Sequence, residues 1–544
     1  MKDFAPAAAV PLRAPGEVLR LARMGAMMPT RLSFLRTLLR RLCAERARIT
    51  RTHWQMSAEG HGHAVYAIPL AGHTYSLVAI SNDLPDDQRS DRVIATAWDA
   101  AFVLFDGTPG AEDIARIKAQ APKQEAGRFG PRDLVLSRAN KSVRMWDATV
   151  SALHAGRQPD RAMIRDIGYL MRTTAVYGNG KFGIADRHLI ADRPGLGGPF
   201  AAEMLAVYMI RHFTLDLVQH VGGGTLDRDL AQHLGIGNAT GLGMAPFLVT
   251  HPVLLHNWLH ARETALARVR AVAEMSPDIR TRLHSLAARA AAHLAEWHVP
   301  APDHDATLRQ LETDWHRFRP QIDAAQSIDA LWQAAQSQSA ALQELLAALL
   351  IEAFPEHVDD LADSMGDAHG PLVQPFADTG ALQLAIGRDW AWALGCDYAQ
   401  ADACKRFWYV SADKLEPRLG DRFADAGAAL ETPLDIARRV AALFAALPPQ
   451  AQPLSTFLRD HPEHAMAVQR VAVLAHHPYA EIRDNLIAAT CRPIDMLRCK
   501  LSFFGATKFD PKSDLWTRIT LAQGAPLGDA LSPEGEDWWL PVLG

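Results

Sequence analysis

The chain has 544 residues, of which 49% are hydrophobic and 22% charged. That length exceeds one ordinary domain and suggests about three of ~150 residues, while the composition excludes a largely disordered chain. The formal net charge of −5 argues against a general nucleic-acid binder.

Residues 1–28 read as a flexible arm, with prolines at 6, 11 and 15. The stretch "TRLSFLRTLLRRLCAERARI" then spaces leucines at helical intervals with arginines opposite. Residues 1–52 carry eleven Lys/Arg and three Asp/Glu, a local charge of +8 that leaves −13 on the rest. A solvated basic face docked on the acidic remainder is the plain expectation. A cleaved presequence would also be arginine-rich, but Asp3, Glu17 and Glu45 intrude and no apolar signal core is present.

Next comes the one convincing β region. "HAVYAIPL" and "HTYSLVAIS", separated by Ala71-Gly72, predict a hairpin. "RVIATAWDAAFVLFDG" offers a third strand ending at Asp106-Gly107. Residues 29–157 therefore read as a small α+β domain. His61, His63 and His73 lie on this hairpin, where a metal reading competes with ordinary exposed polar residues.

From 158 the pattern turns helical. "PDRAMIRDIGYLMRTT" reads as one helix that places Arg165, Tyr169 and Arg172 on a stripe. "GPFAAEMLAVYMIRHFTLDLVQHV" is a second, stopped by Gly222-Gly223-Gly224. It is the most apolar stretch, yet Glu203, Arg211, His212 and Asp216 interrupt it, so no window approaches the ~20 apolar residues of a membrane span. Ser276 and Pro277 open another helix as cap and first residue. Residues 298–306 read as a linker between a helical unit, 158–300, and a helical carboxyl-terminal unit, 301–544. The latter carries an aromatic and basic block. Five scattered cysteines point to a reduced, cytosolic setting. No repeat period is visible. The predicted fold class is thus mainly α and multi-helical, with a small amino-terminal α+β domain holding a β-hairpin or short antiparallel sheet.

No P-loop, HExxH, paired CxxC or GxSxG motif occurs, and no GxGxxG sits between a strand and a helix. Three polar clusters remain. In "MRTTAVYGNGKFGIADRH", Thr173, Tyr177, Asn179, Lys181 and Asp186 surround glycines 178, 180 and 183. Glycines let backbone N–H groups converge, and a cation beside them suits a carboxylate or phosphate. A plain connection between helices is the competing explanation. In "GIGNATGLGMAPFLVTHPVLLHNW", Asn238, Thr240, His251 and His256 accompany four glycines, and a histidine near the working pH suits a general base. Capping and core packing are the alternatives there. The third cluster is the block that includes Trp408, Tyr409, His476, His477, Arg483, Lys500 and Lys508. Its aromatics serve stacking on a ligand or packing under arginine stems.

The expectation is a cytoplasmic enzyme acting on a small anionic metabolite by non-redox acid–base chemistry, as a lyase, isomerase or hydrolase. Arg165, Tyr169, Arg172, Thr173, Asn179, Asn238 and Thr240 would bind the substrate. Tyr177, Lys181, Asp186, His251 and His256 would carry the chemistry. The sequence names no cofactor and gives no metal set with diagnostic spacing. It calls for no membrane partner and leaves room for a homo-oligomer. The competing class is a helical scaffold that uses the basic amino-terminal helix and the aromatic block as partner surfaces.

Overall fold

A computed structural model describes residues 10–18, 21–84, 98–121, 130–173, 190, 192–241, 252–272, 274–299, 301–363, 376–398, 433–473, 493–513, 516–526 and 543. Its centre is a sheet of nine strands in the order β1-β2-β3-β4-β5-β6-β7-β9-β8. This corrects the expected small amino-terminal hairpin or short sheet.

In chain order, helix α1 spans Phe34–Ala44, and then come β1 (Thr50–Met56), β2 (Gly62–Leu70), β3 (His73–Ser81) and β4 (Ala100–Asp106). Helix α2 (Ala111–Gln120) leads to β5 (Asp133–Lys141), α3 (Met145–His154), α4 (Arg161–Ile167) and β6 (Tyr169–Thr173). The long α5 (Ala201–Gly222) leads to β7 (Gly235–Gly241). Helices α6 (Pro252–Arg270), α7 (Pro277–Glu296), α8 (Pro302–Phe318), α9 (Ala340–Ala353), α10 (Pro355–Asp363), α11 (Pro433–Ala446) and α12 (Pro493–Phe504) follow, among shorter ones. Strands β8 (Lys508–Ser513) and β9 (Trp516–Leu521) then complete the sheet. No helix among the described residues is long and apolar enough to cross a membrane.

The hairpin closes as the sequence suggests. Leu70 pairs with His73 across a two-residue turn, and both turn residues have positive φ, 52° at Ala71 and 73° at Gly72. That is the turn whose twist matches the flanking strands. Strands β1 to β6 are antiparallel neighbours, whereas β6 and β7 are parallel. The β6-α5-β7 connection is the crossover a parallel pair requires. Helix α5 covers β2 to β7 on one face. It is buried nearly all round, which is why its sequence lacks a polar stripe. The opposite face buries Val65, Val78, Ile80, Ala101, Val103 and Phe105 under Ile117 and Ala121 of the α2 region.

Three sequence expectations fail. The helix expected over 159–174 stops at Ile167, because Gly168 takes a left-handed φ of 73°, and Tyr169–Thr173 becomes β6. Gly235 to Gly241 form a strand rather than a turn. A Cβ on Gly235 would lie 2.3 Å from the Leu521 carbonyl oxygen, and one on Gly237 would lie 2.6 Å from the Tyr169 ring. These two glycines therefore make room for a neighbouring strand and a ring. The expected linker at 298–306 is already helical from Pro302. Ser276 does cap α7, accepting from the Ile279 N–H at 3.3 Å.

The basic amino-terminal segment docks on acidic residues of α6, α9 and α10. Arg13 bridges Glu263 at 2.7 Å and Glu344 at 2.6 Å. Arg36 meets Glu352 at 2.5 Å, and Arg31 grips Asp359 through Nε at 2.8 Å and Nη2 at 3.0 Å. Burial alone would lower the Arg13 pKa, but Glu344 and Glu263 more than reverse that. Paired in this way, buried guanidinium groups retain their charge.

Candidate functional site

The residues proposed from sequence scatter. Tyr177, Asn179, Lys181, Asp186 and His251 lie outside the described residues, as do the side chains of Thr240 and His256. Of the third cluster, Lys500 and Lys508 fall within them. Lys500 is buried in α12, which pushes its ammonium down to about 7.

Arg165 and Arg172 do not share a stripe, because α4 ends between them and they flank opposite ends of β6. Arg172 is 2% exposed and sits in the sheet opposite Asn140 and Gly237. Tyr169 packs its ring on Gly237. Thr173 and Asn238 do come together: they are paired across β6 and β7, and the Asn238 amide donates to Thr173 Oγ1 at 3.3 Å. Both are fully buried. This quartet is part of the sheet interior, with Arg172, Thr173 and Asn238 as its polar members.

Arg165 reaches an open cleft. Its walls come from α4, the end of α7, the start of β8 and the segment after β9, with Arg165, His233, His293, Glu296, Lys508 and Gln523 as the polar lining. Ile164, Trp297 and Leu543 complete it. The cleft has a volume of about 50 Å³, room for roughly three or four waters or one small anion.

Each polar wall residue is placed by a definite contact. Arg165 Nε is 2.9 Å from Glu296 Oε2, and its Nη2 donates to the Leu543 carbonyl at 3.1 Å. Lys508 donates to the carbonyls of Arg165 and, at 2.9 Å, Asp166, where the last turn of α4 presents its unpaired carbonyls. Gln523 is pinned at both ends: Nε2 donates to the His233 carbonyl at 2.6 Å and Oε1 accepts from Thr507 Oγ1 at 3.0 Å.

The two imidazoles differ from these. Burial, then the nearby charge of Arg161, lowers His233 to about 4, with Asp229 opposing. Burial, then the charge of Lys508, lowers His293 to about 4. Both are neutral at pH 7. His293 is only 9% exposed, leans on the Trp297 ring with centroids 5.0 Å apart, and its Nε2 has no hydrogen-bond partner. A buried polar atom left in this state costs about 1–3 kcal/mol, and the residue lines the cleft.

The sequence points to Arg165 and Lys508 separately but not to their meeting with His293 and Glu296. Arg165, Glu296, Lys508 and Leu543 meet through the sheet's closure by β8 and β9, across more than 300 residues of chain. Comparison with family models, with curated proteins and with solved structures gives no match.

Proposed function

We propose that this chain is an enzyme that takes a small anionic metabolite, bearing a carboxylate or phosphate, into the cleft and moves a proton on it without redox chemistry. One observation carries the reading: a neutral, buried imidazole without a hydrogen-bond partner, His293, stands at a wall shared with Lys508 and Arg165. The two cations favour an anion, and Glu296 holds the Arg165 guanidinium in place through its Nε. An anion seated beside His293 offsets the charge of Lys508 and raises the imidazole pKa from about 4 toward the working pH. A group tuned in that way is suited to proton transfer. Gln523, held at both ends, supplies a fixed polar edge that orients the bound molecule.

The competing scaffold reading has less support. Of the amino-terminal arginines it would present to a partner, Arg13, Arg31 and Arg36 are spent on internal carboxylates, while Arg41, Arg46 and Arg48 are exposed.

The test is calorimetric titration of the full chain with inorganic phosphate and with acetate at pH 7. The expected result is one site with a Kd of about 1 mM or tighter for at least one of the two. Lys508→Met and His293→Leu should each weaken it about tenfold or more. Because binding raises the His293 pKa, sulfate should bind more tightly as pH falls from 7 towards 5, with proton uptake. Absence of binding by either anion up to about 50 mM, or equal binding by both variants, would refute the reading.

A further inference from the structure

We propose that His53 and His63, on adjacent strands at the sheet edge, form a chelating site for a divalent transition-metal ion of the copper(II)–nickel(II) class. Their Nε2 atoms are 3.1 Å apart and their ring centroids 4.8 Å apart. The two distances together are informative. A straight Nε2–H···Nε2 hydrogen bond of this length would hold the centroids about 5.4 Å apart. Two imidazoles bound through Nε2 to one ion at about 2.05 Å would bring them to about 4.8 Å. The corresponding angle at the ion is about 98°, between the ~90° of a tetragonal site and the tetrahedral value, and imidazole donors suit copper(II) and nickel(II), which head the affinity order for such ligands.

The backbone is arranged for this pairing. In β1 the register shifts by one residue between Arg51 and His53. Arg51 lies opposite Tyr66, but His53 lies opposite Val65 rather than Ala64. Without the extra residue, Thr52, His53 would project from the other face. With it, His53 faces Val65 and is diagonal to His63, a spacing that long side chains bridge. His63 is buried, 6% exposed, while His53 is open to solvent.

A neutral imidazole is the form that ligates a metal. Among the described residues no group of three or more His, Cys, Asp or Glu converges. In the proposed site the two imidazoles are the protein ligands, and solvent reaches the ion beside the exposed His53. His61 and His73 are otherwise engaged, near Asp83 at 3.8 Å and Asp106 at 2.6 Å.

The experiment is titration of the full chain, first stripped with a chelator, with nickel(II) and copper(II). With 23 histidines in the chain, the reading is the difference between proteins. The wild type should bind one equivalent that His53→Gln lacks, or binds at least tenfold more weakly. His53 is exposed, so this variant keeps the fold, as circular dichroism should show. His61→Gln and His73→Gln should retain that equivalent. In copper(II) electron paramagnetic resonance, the nitrogen couplings of the tightest equivalent should diminish in His53→Gln. Equal stoichiometry and affinity in the wild type and His53→Gln, or loss in His61→Gln instead, would overturn the proposal.

Discussion

The amino-terminal docking surface and the cleft beside β6 both concentrate buried polar chemistry, and they differ in completion. At the docking surface each guanidinium meets a carboxylate: Arg13 with Glu263 and Glu344, Arg36 with Glu352, Arg31 with Asp359. In the cleft, His293 has a neutral ring against Trp297 and no hydrogen-bond partner at Nε2. The first arrangement holds the fold together. The second costs stability, and under the proposed function a bound anion would offset that cost. Density of charged residues in the sequence points at both regions alike. The docked guanidinium groups have carboxylate partners, although Glu352 Oε2 has no hydrogen-bond partner of its own, whereas the imidazole of His293 has none at Nε2.

The largest way to sharpen this contrast is acid. His233 and His293 titrate near 4 in the folded chain against about 6.5 when unfolded. Their folded pKa values are lowered, so the unfolded chain binds more protons. Stability is whole above about pH 6.5 and is lost as pH falls from there towards 4, by about 1.4 kcal/mol per pH unit for each imidazole. Urea midpoints measured at pH 7, 6 and 5 should fall accordingly, and His293→Leu should lessen the slope. The Glu263 carboxyl behaves differently. Burial would raise its pKa, but Arg262 and Arg13 bring it below the ordinary range. Its contribution is present above the unfolded carboxylate pKa of about 4.3 and fades only as pH falls through the lower folded value.

At the docking surface, Glu344→Ala should destabilise by about 3–5 kcal/mol, because it strips a fully buried carboxylate from Arg13 and Arg23. Denaturant midpoints would show this, and phosphate affinity should not change. A loss below about 1 kcal/mol would mean that these pairs behave like surface ones. Gly237→Ala comes next. The added methyl meets the Tyr169 ring at 2.6–2.8 Å, an overpacking worth about 1–3 kcal/mol. Thermal unfolding would report it. A neutral result would return Gly237 to the role of an adaptable turn residue.

Helix starts and the hairpin could be read locally, but the nine-stranded sheet could not, because strands far apart in the chain complete it. The hairpin was legible because Ala71-Gly72 separates two β-branched runs, and the α7 start because Ser276-Pro277 is a strong cap. Strand β6 was hidden because its five residues continue the apolar spacing of α4, with Gly168 as the single break. Strand β7 was hidden by glycines whose purpose, space for Tyr169 and Leu521, lies in other strands. Edge strand β8 contains Pro511, a residue that argues against strand unless the edge position is known. Of the site, Arg165 was found from its residue type and Lys508 as one cation of a block. His293 and Glu296 gave no signal, since on α7 they look like ordinary helix residues until β8 and Leu543 close over them. The His53–His63 pair depended on a one-residue bulge that no spacing rule reveals.

His293, whose Nε2 has no hydrogen-bond partner beside the cleft, is the residue whose role separates a ligand site from core packing. One variant tests it directly: His293→Leu, with urea midpoint and phosphate affinity measured on the same preparation at pH 7. Replacing a partnerless imidazole with an apolar side chain of similar size removes a desolvation cost. The expected result is a midpoint unchanged or raised, with phosphate affinity reduced about tenfold or more. A lowered midpoint with unchanged affinity would contradict it and make His293 a core residue.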